Sequence, residues 1–314
     1  MTALPRPPSR SRARAALTAG IFRSVLTVLA MLAVGGCAGR APSRTASLSR
    51  AAAGHGAVSV LYAGALVSLM EQRIGPAFDH ASGYRFQGFA GGSLALAHEI
   101  RGKVRRADVF ISAAPSVNRG LMGAANGDWV RWYVPFAEAH LVIGYSSRSR
   151  FAPQWKSTPW YRIMAQPGFR LGRTDPKLDP KGALTIQFLH AAARYYHRPG
   201  LTRQLLGPRE NPSQVFAEET LVGRLQAGQL DGGFFYSNEA VQAHIPFVTP
   251  PAAIDPKAVF TVTIVRGAPD PGGALAFVRF LLGSQGRSLL RRAGLTLVTP
   301  RSVPASAAPP LPGR

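Results

Sequence analysis

Residues 58–112, VSVLYAGALVSLMEQRIGPAFDHASGYRFQGFAGGSLALAHEIRGKVRRADVFIS, decide the fold class. They open on a β-type run, residues 58–62 (VSVLY), and turn through the small residues Ala63, Gly64 and Ala65. Leu66, Leu69, Met70, Ile74 and Phe78 then recur at helical spacing and predict one apolar helix face. Residues 84–89 read as a second strand and Gly91-Gly92 as a turn. Ser93 reads as the N-cap of a helix carrying Leu96, Ile100 and Val104 on one side. Residues 108–112 (DVFIS) are nearly continuously apolar, as expected of a strand in a parallel sheet covered on both faces. Strand, helix, strand, helix, strand in that order predicts an open α/β sheet.

The alternation continues downstream. Residues 140–145 (HLVIGY), 169–172 (FRLG), 230–236 (LDGGFFY) and 259–265 (VFTVTIV) read as strands and residues 183–196 as a helix, and the apolar faces of 274–282 and 286–293 close the chain. No internal repeat at solenoid periods is present. With 314 residues, 46% hydrophobic and 17% charged, the composition excludes a disordered or collagen-like chain and leaves room for one large or two ordinary domains. Two α/β lobes fit, and ligands in such folds sit at the carboxyl ends of strands, where the glycine-rich turns lie.

Both ends of the chain differ from this body. The first fifty residues hold no acid, and Arg6, Arg10, Arg12 and Arg14 precede an apolar run at 24–36 (SVLTVLAMLAVGG), the layout of a secretory signal. Thirteen apolar residues fall short of the roughly 20 that a spanning helix needs. The run ends at Val34-Gly35-Gly36-Cys37, which resembles the lipobox of bacterial lipoproteins, with Gly35 in place of the usual Ala or Ser and Cys37 as the lipidated residue after removal of 1–36; the alternative is an ordinary signal peptide or a membrane anchor with an incidental cysteine. Residues 37–56 read as a flexible tether rich in Ala, Ser, Arg and Gly, and 302–314 as a Pro-rich disordered tail. Cys37 is the single cysteine, so a disulfide framework and a cysteine-based zinc site within the chain are excluded. The formal charge is +22; five arginines leave with residues 1–36, and the remaining 32 basic against 15 acidic residues give +17. Such a field favours anionic partners. The basic residues form no RNP-like pattern with aromatics, so no nucleic-acid partner is expected.

Several local patterns are candidates for chemistry. Gly91-Gly92-Ser93-Leu94-Ala95 comes close to the G-x-S-x-G elbow of serine hydrolases, with alanine at the last position. The same serine is also placed to serve as a plain N-cap or as an anion-binding group at a helix N-terminus, where free N–H groups and the helix dipole favour an oxyanion. Ala63-Gly64-Ala65 offers the same backbone geometry. Residues 174–182 (TDPKLDPKG) form a polar loop opening a helix, without the ligand spacing of an EF-hand. Phe216-Ala217-Glu218-Glu219 reads as an acidic helix start. The seven histidines contain no H-E-x-x-H pattern, which argues against a zincin-type site. Tyr195-Tyr196 is a candidate ferric-iron pair, or one buried and one surface tyrosine on an alanine-rich helix.

Taken in order, residues 58–66, the Phe89-Ala90-Gly91-Gly92-Ser93 turn, 107–113 (ADVFISA), 129–145, Trp160-Tyr161, Asp179-Pro180-Lys181-Gly182, 192–200 (AARYYHRPG) and 230–236 resemble molybdate/tungstate-binding proteins of ABC importers, nearer the tungstate/molybdate branch than the enteric molybdate branch. The resemblance covers roughly residues 57–300 and implies a two-lobed type II periplasmic binding protein, each lobe an open mixed sheet flanked by helices. Residues 57–135 plus 250–301 would form lobe I and 136–249 lobe II, with crossings near Pro135 and Pro250 and with closure as the signal to the permease. By the same resemblance Ser93 is a hydroxyl donor to the oxyanion, Ala65 stands where the family usually has a serine, and Tyr236 and the backbone around Glu138 and Ala139 lie near the site. Asp179 and Glu218 match the two carboxylates that coordinate the metal of the oxyanion.

The implied protein is a non-enzymatic, monomeric lipoprotein on the periplasmic or cell-surface side, with no cofactor, tungstate or molybdate as ligand, and an ABC permease and ATPase as partners. Two alternatives stand beside it: a ferric-iron receptor of the same fold using Tyr195 and Tyr196, and a serine hydrolase built on Ser93.

Overall fold

The computed structural model describes residues 55–208 and 210–307; the signal, Cys37 and most of the tether lie outside the described residues. Its strands in chain order are β1 (Ala57–Ala63), β2 (Arg85–Gly91), β3 (Val109–Ser112), β4 (Trp132–Tyr145), β5 (Leu171–Thr174), β6 (Val215–Phe216), β7 (Gly232–Tyr236), β8 (Phe247–Val248), β9 (Lys257–Ile264), β10 (Thr296–Leu297) and β11 (Val303–Pro304). They join in the order β2-β1-β3-β9-β4-β7-β5-β6, with β8, β10 and β11 added along β4.

The path divides within β4. Its residues 134–140 pair antiparallel with β9, across an irregularity between Pro135 and Ala137, and its residues 141–145 pair antiparallel with β7. Proline has no ladder donor, which fits the break in register there. On one side β9, β3, β1 and β2 form the sheet of a first lobe; on the other β7, β5 and β6 form that of a second. In the first lobe β1 is parallel to both β2 and β3, whereas β3 is antiparallel to β9. The apolar run at 108–112 is buried throughout, as expected, but its surroundings are mixed rather than purely parallel. Its antiparallel neighbour arrives some 150 residues later in the chain, Val109 standing opposite Ile264, beyond the reach of any local pattern.

The helix after β1 follows the apolar spacing with an internal change of pitch. It runs through Gly64–Leu66, Val67–Leu69, Met70–Ile74 and Gly75–Ser82, and the Gly75 N–H bonds back to Met70 O, five residues away. Pro76 explains the wide turn: it has no N–H, and its ring would strike the carbonyl four residues earlier, so the helix opens by one residue there. Phe78 on this helix meets Phe277 edge to face at 5.1 Å, and Phe277 in turn stacks on Phe86 at 5.9 Å, tying the helix Pro271–Leu282 to the first sheet. Asp108 strengthens that junction by accepting the N–H groups of Ser59 at 2.8 Å and Asp270 at 2.6 Å.

Several details depart from the sequence reading. Ser93 is the first residue of its helix and not its N-cap, a place that Gly92 takes without a side-chain cap. The helix opened by Ser93 ends at Arg101, and Val104 is exposed instead of continuing the apolar face, because the chain turns at Gly102 and takes φ 55° at Lys103. Val303–Pro304, placed by composition in the tail, pairs with Tyr133 and Trp132 of β4. Among the described residues no helix is long and apolar enough to cross a membrane.

Candidate functional site

The carboxyl ends of β1, β2, β5 and β7 converge beside the point where β4 passes between lobes. The turn after β1 brings Ala65, that after β2 brings Ser93, the loop after β5 brings Asp179, and β7 ends on Tyr236. Ala65, Ser93, Asp179, Glu218 and Tyr236 are all buried, Glu218 and Ala65 being the most accessible at 3% exposure. The structure therefore shows a closed cleft.

Asp179 caps the helix Pro180–Tyr195: its Oδ1 accepts the Lys181 N–H at 2.6 Å and the Thr174 hydroxyl at 3.1 Å. Asp is a preferred N-cap, and Pro at the first helical position is pre-set for the helix, so the Asp-Pro pair fixes this geometry locally. Oδ2 is buried with no hydrogen-bond partner. Glu218 starts the short turn Glu218–Thr220, and both its oxygens are buried without a hydrogen bond, Oε1 lying 3.4 Å from Lys181 Nζ. The Tyr236 hydroxyl is likewise buried and unpartnered. Polar atoms left this way cost folding free energy, and a cluster of them in one cleft marks a place where something else binds.

The titration behaviour follows from this burial. Burial pushes the Asp179 carboxyl up to about 6, against the pull of the Lys181 ammonium, the Lys181 N–H and the Thr174 hydroxyl. Burial first and the Asp179 charge second push Glu218 well above the usual carboxylate range. Tyr236 is raised by burial and then by the same carboxylates. Burial disfavours the Lys181 ammonium, but the charges of Glu239, Glu218 and Asp179 outweigh it and hold the lysine above its ordinary value.

The remaining sequence candidates fall around this cluster. Ala65 lines a cavity of about 310 Å³ together with Gly64, Glu218 and Glu239, and its carbonyl accepts Asn238 Nδ2 at 2.8 Å. A second cavity of about 320 Å³ lies between Gly92, Thr174, Leu178, Asp179 and Glu218, so Glu218 borders both. The Ser93 hydroxyl accepts the Ala113 N–H at 3.0 Å. The N–H groups of Leu94 and Ala95, which the helix would offer to an anion, both donate to Leu178 O at 3.0 Å, so a carbonyl of the second lobe occupies that helix N-terminus. Ala139 is buried in β4 opposite Ala258, one residue before His140, whose N–H donates to Ser237 Oγ at 3.2 Å.

Tyr195 and Tyr196 lie at the far end of the sixteen-residue helix capped by Asp179, about 24 Å along its axis from the cleft. Tyr195 is exposed and meets Tyr196 edge to face at 5.0 Å, while Tyr196 packs on Tyr161 at 4.8 Å. Tyr195 stands at the surface and Tyr196 is half-buried against the core, both outside the cleft, and the iron reading loses its site.

Lys181, Glu239, Asn238 and the Leu178 carbonyl were not singled out in the sequence. A lysine in the first turn of a helix runs against the dipole and was the available signal for Lys181. Glu239, three residues after Tyr236, reaches back to the Tyr236 N–H at 2.7 Å in the manner of a capping box, a spacing that was legible. Nothing local marks the Leu178 carbonyl.

A cleft of partnerless polar groups between two α/β lobes defines the class as a two-lobed solute receptor. The chain belongs to the family of bacterial extracellular solute-binding proteins, whose sequence signature matches residues 58–296. That family consists of solute receptors for transport acting outside the cytoplasm, not of enzymes, and the hydrolase reading of Ser93 falls with it. The chain is 30% identical over 253 residues to a putative ABC transporter molybdenum-binding protein of Haloferax volcanii, covering 80% of this chain and 75% of that one. It is 25% identical over 262 residues to the molybdate/tungstate-binding protein of Pyrococcus abyssi, covering 68% and 75%. The Azotobacter vinelandii periplasmic molybdate-binding protein shares the fold with a TM-score of 0.60 at 20% identity, covering 77% of this chain and 100% of that one.

Two consequences can be measured. Gly92 has φ −58°, open to any residue, yet a methyl there would lie 2.5 Å from Leu178 O and 3.3 Å from Asp179 Cβ. Gly92→Ala is expected to hold the lobes apart, raising the radius of gyration of the unliganded protein in small-angle scattering with little change in thermal midpoint; an unchanged radius would show that the contact does not control closure. An acid raised in the folded state keeps a proton that the unfolded chain has lost, so between pH about 4 and 6 Asp179 makes stability fall as pH rises. Thermal melts should show this decline flattened in Asp179→Asn, with the variant the more stable at pH 7, whereas parallel curves would place Asp179 in the ordinary range.

Proposed function

We propose that this protein captures tungstate or molybdate outside the cytoplasm and delivers it to an ABC permease and its ATPase, held at the membrane by a lipid on Cys37. The observation that carries the reading is the group of buried carboxylate oxygens in the cleft: Asp179 Oδ2 and Glu218 Oε2 have no hydrogen-bond partner, and Glu218 Oε1 has only the Lys181 ammonium at 3.4 Å. The names of the Haloferax and Pyrococcus relatives support it.

A carboxylate facing a dianion across a dry cleft is repelled by several kcal/mol unless it is protonated or bonded to the metal. Molybdenum(VI) and tungsten(VI) are hard centres that expand from four oxygen ligands to six. Asp179 and Glu218, from separate segments of the second lobe, supply two more oxygens, while Ser93 and the turn at Ala65 close over the anion from the first lobe. Sulfur in sulfate cannot expand in this way, so the same pair of acids rejects it by coordination number. The missing hydroxyl at Ala65 removes one hydrogen bond to the anion, about 1.5–3 kcal/mol for a charged acceptor. The positive excess of the chain raises the capture rate of a dianion at low ionic strength.

Calorimetric titration with tungstate, molybdate and sulfate tests the ligand. The wild type is expected to bind the first two and not sulfate, and Asp179→Ala/Glu218→Ala to lose tungstate affinity by about 100-fold or more, equivalent to about 3 kcal/mol. Unchanged tungstate affinity and selectivity in the double variant would overturn the reading. For the anchor, Cys37→Ala is expected to move the protein from the membrane fraction to the soluble extracytoplasmic fraction and to abolish labelling with radioactive palmitate; retention at the membrane would remove Cys37 from the account.

A further inference from the structure

Lys181 is fully buried at the second position of the helix Pro180–Tyr195, where the positive end of the helix dipole opposes a cation. Nothing in the local structure of that helix calls for a lysine. Its ammonium instead lies between two acidic segments, and its backbone N–H meets a third. Nζ bonds both oxygens of Glu239, at 2.9 Å and 2.8 Å, lies 3.4 Å from Glu218 Oε1 and stands 5.2 Å from the centre of the Tyr236 ring. Its own N–H is the group that fixes Asp179. Glu239 is in turn immobilised by the Tyr236 N–H, so the lysine is held from behind by a carboxylate that is itself held.

The two oxygens of Glu218 are thereby made unequal. Oε1 faces the ammonium, whereas Oε2 faces the first lobe, only 2.5 Å from where a methyl on Gly64 would be. We propose that Lys181, anchored by Glu239, is the positioning residue that orients Glu218, holding Oε1 so that Oε2 is presented to the solute metal. This rests on the coordination reading above and adds to it a residue that acts through Glu218. A free glutamate would have to lose side-chain rotamer freedom on binding; one pre-set by a buried ion pair has lost it already. The lysine also places a positive charge beside carboxylates that must meet a dianion, which lowers the repulsion on capture. Both effects act to offset the hydrogen bond missing at Ala65.

The test combines affinity with the coordination number of bound molybdenum, read from the pre-edge of its X-ray absorption, which is strong for a four-coordinate and weak for a six-coordinate centre. Three variants of the protein are compared with the wild type: Lys181→Met, Lys181→Met/Glu239→Gln and Glu239→Gln. The single lysine variant leaves Glu239 buried and unpaired and is expected to lower the thermal midpoint; the double variant removes one charge of each sign and is expected to recover it. If Lys181 orients Glu218, the double variant binds molybdate at least tenfold more weakly and its molybdenum turns toward four-coordinate, even with stability restored. Glu239→Gln, which keeps the ammonium but loosens its anchor, weakens binding severalfold and decides the matter should the double variant not fold. A double variant within twofold of the wild type with six-coordinate molybdenum, or an unchanged Glu239→Gln where the double variant does not fold, overturns the assignment to Lys181. Four-coordinate molybdenum in the wild type would overturn the coordination reading itself, a separate failure.

Discussion

The hydrogen-bond ladder along β4 is the constraint on which the rest of the structure depends. One strand of fourteen residues is bonded to β9 with its first part and to β7 with its last, and among the described residues the path through the sheet has no other link between the two groups of strands. An extended strand continuous through both ladders fixes where the two lobes can meet. It also places Tyr236, opposite Leu141, and Ser237, bonded to His140, immediately beside the change of partner. The strand ends that carry Ala65, Ser93, Asp179 and Tyr236 converge there because both sheets end there. The cleft is a geometric consequence of the crossing before it is a binding site.

Closure of that cleft is made by backbone and small residues as much as by the acids. The Leu178 carbonyl takes two N–H groups at the start of the helix Ser93–Arg101, and Asn238 takes the Ala65 carbonyl. The first of these contacts satisfies N–H groups that a helix N-terminus otherwise leaves to water or to a ligand. The interior they enclose is less satisfied: Asp179, Glu218 and Tyr236 keep buried oxygens without partners, while Lys181 and Glu239 balance one charge against another. Buried acids in this state cost stability, and the aromatic packing of Phe78, Phe86 and Phe277, remote from the cleft, belongs to the part of the molecule that offsets it. Such a division, with a well-packed frame around a strained centre, is what binding a charged solute in a dry cleft requires.

Much of the frame was legible because its signals are local. Alternation of strand and helix from residue 58 to 112, the apolar face of Leu66, Leu69, Met70, Ile74 and Phe78, and the polar loop at 174–182 that opens a helix all report on neighbours within a few residues. The wide turn before Pro76 has a local cause as well, although periodicity alone does not show a change of pitch. Val104 was misread because helical spacing persisted past the residue where the backbone turned. The iron pair at Tyr195-Tyr196 failed for a simpler reason: adjacency in sequence says nothing about distance from the cleft along a helix. Asp179 and Glu218 came from the resemblance rather than from spacing, since nothing within either segment points at the other, 39 positions away. Lys181 carried a signal in its unfavourable place on the helix, which makes sense only once Glu239 is seen beside it.

By itself the sequence determined the α/β class, the glycine-bearing turns, the polar loop at 174–182 that opens a helix and the acidic minority from which a site would be drawn, because each depends on backbone preference or short-range pattern. Tertiary structure alone decided that β3 has an antiparallel neighbour, that Leu178 fills the helix N-terminus above the cleft, and that one lysine joins three acidic segments. These depend on groups brought together from distant parts of the chain at separations of about 3 Å, where hydrogen bonds and buried charges act and where no local pattern reaches.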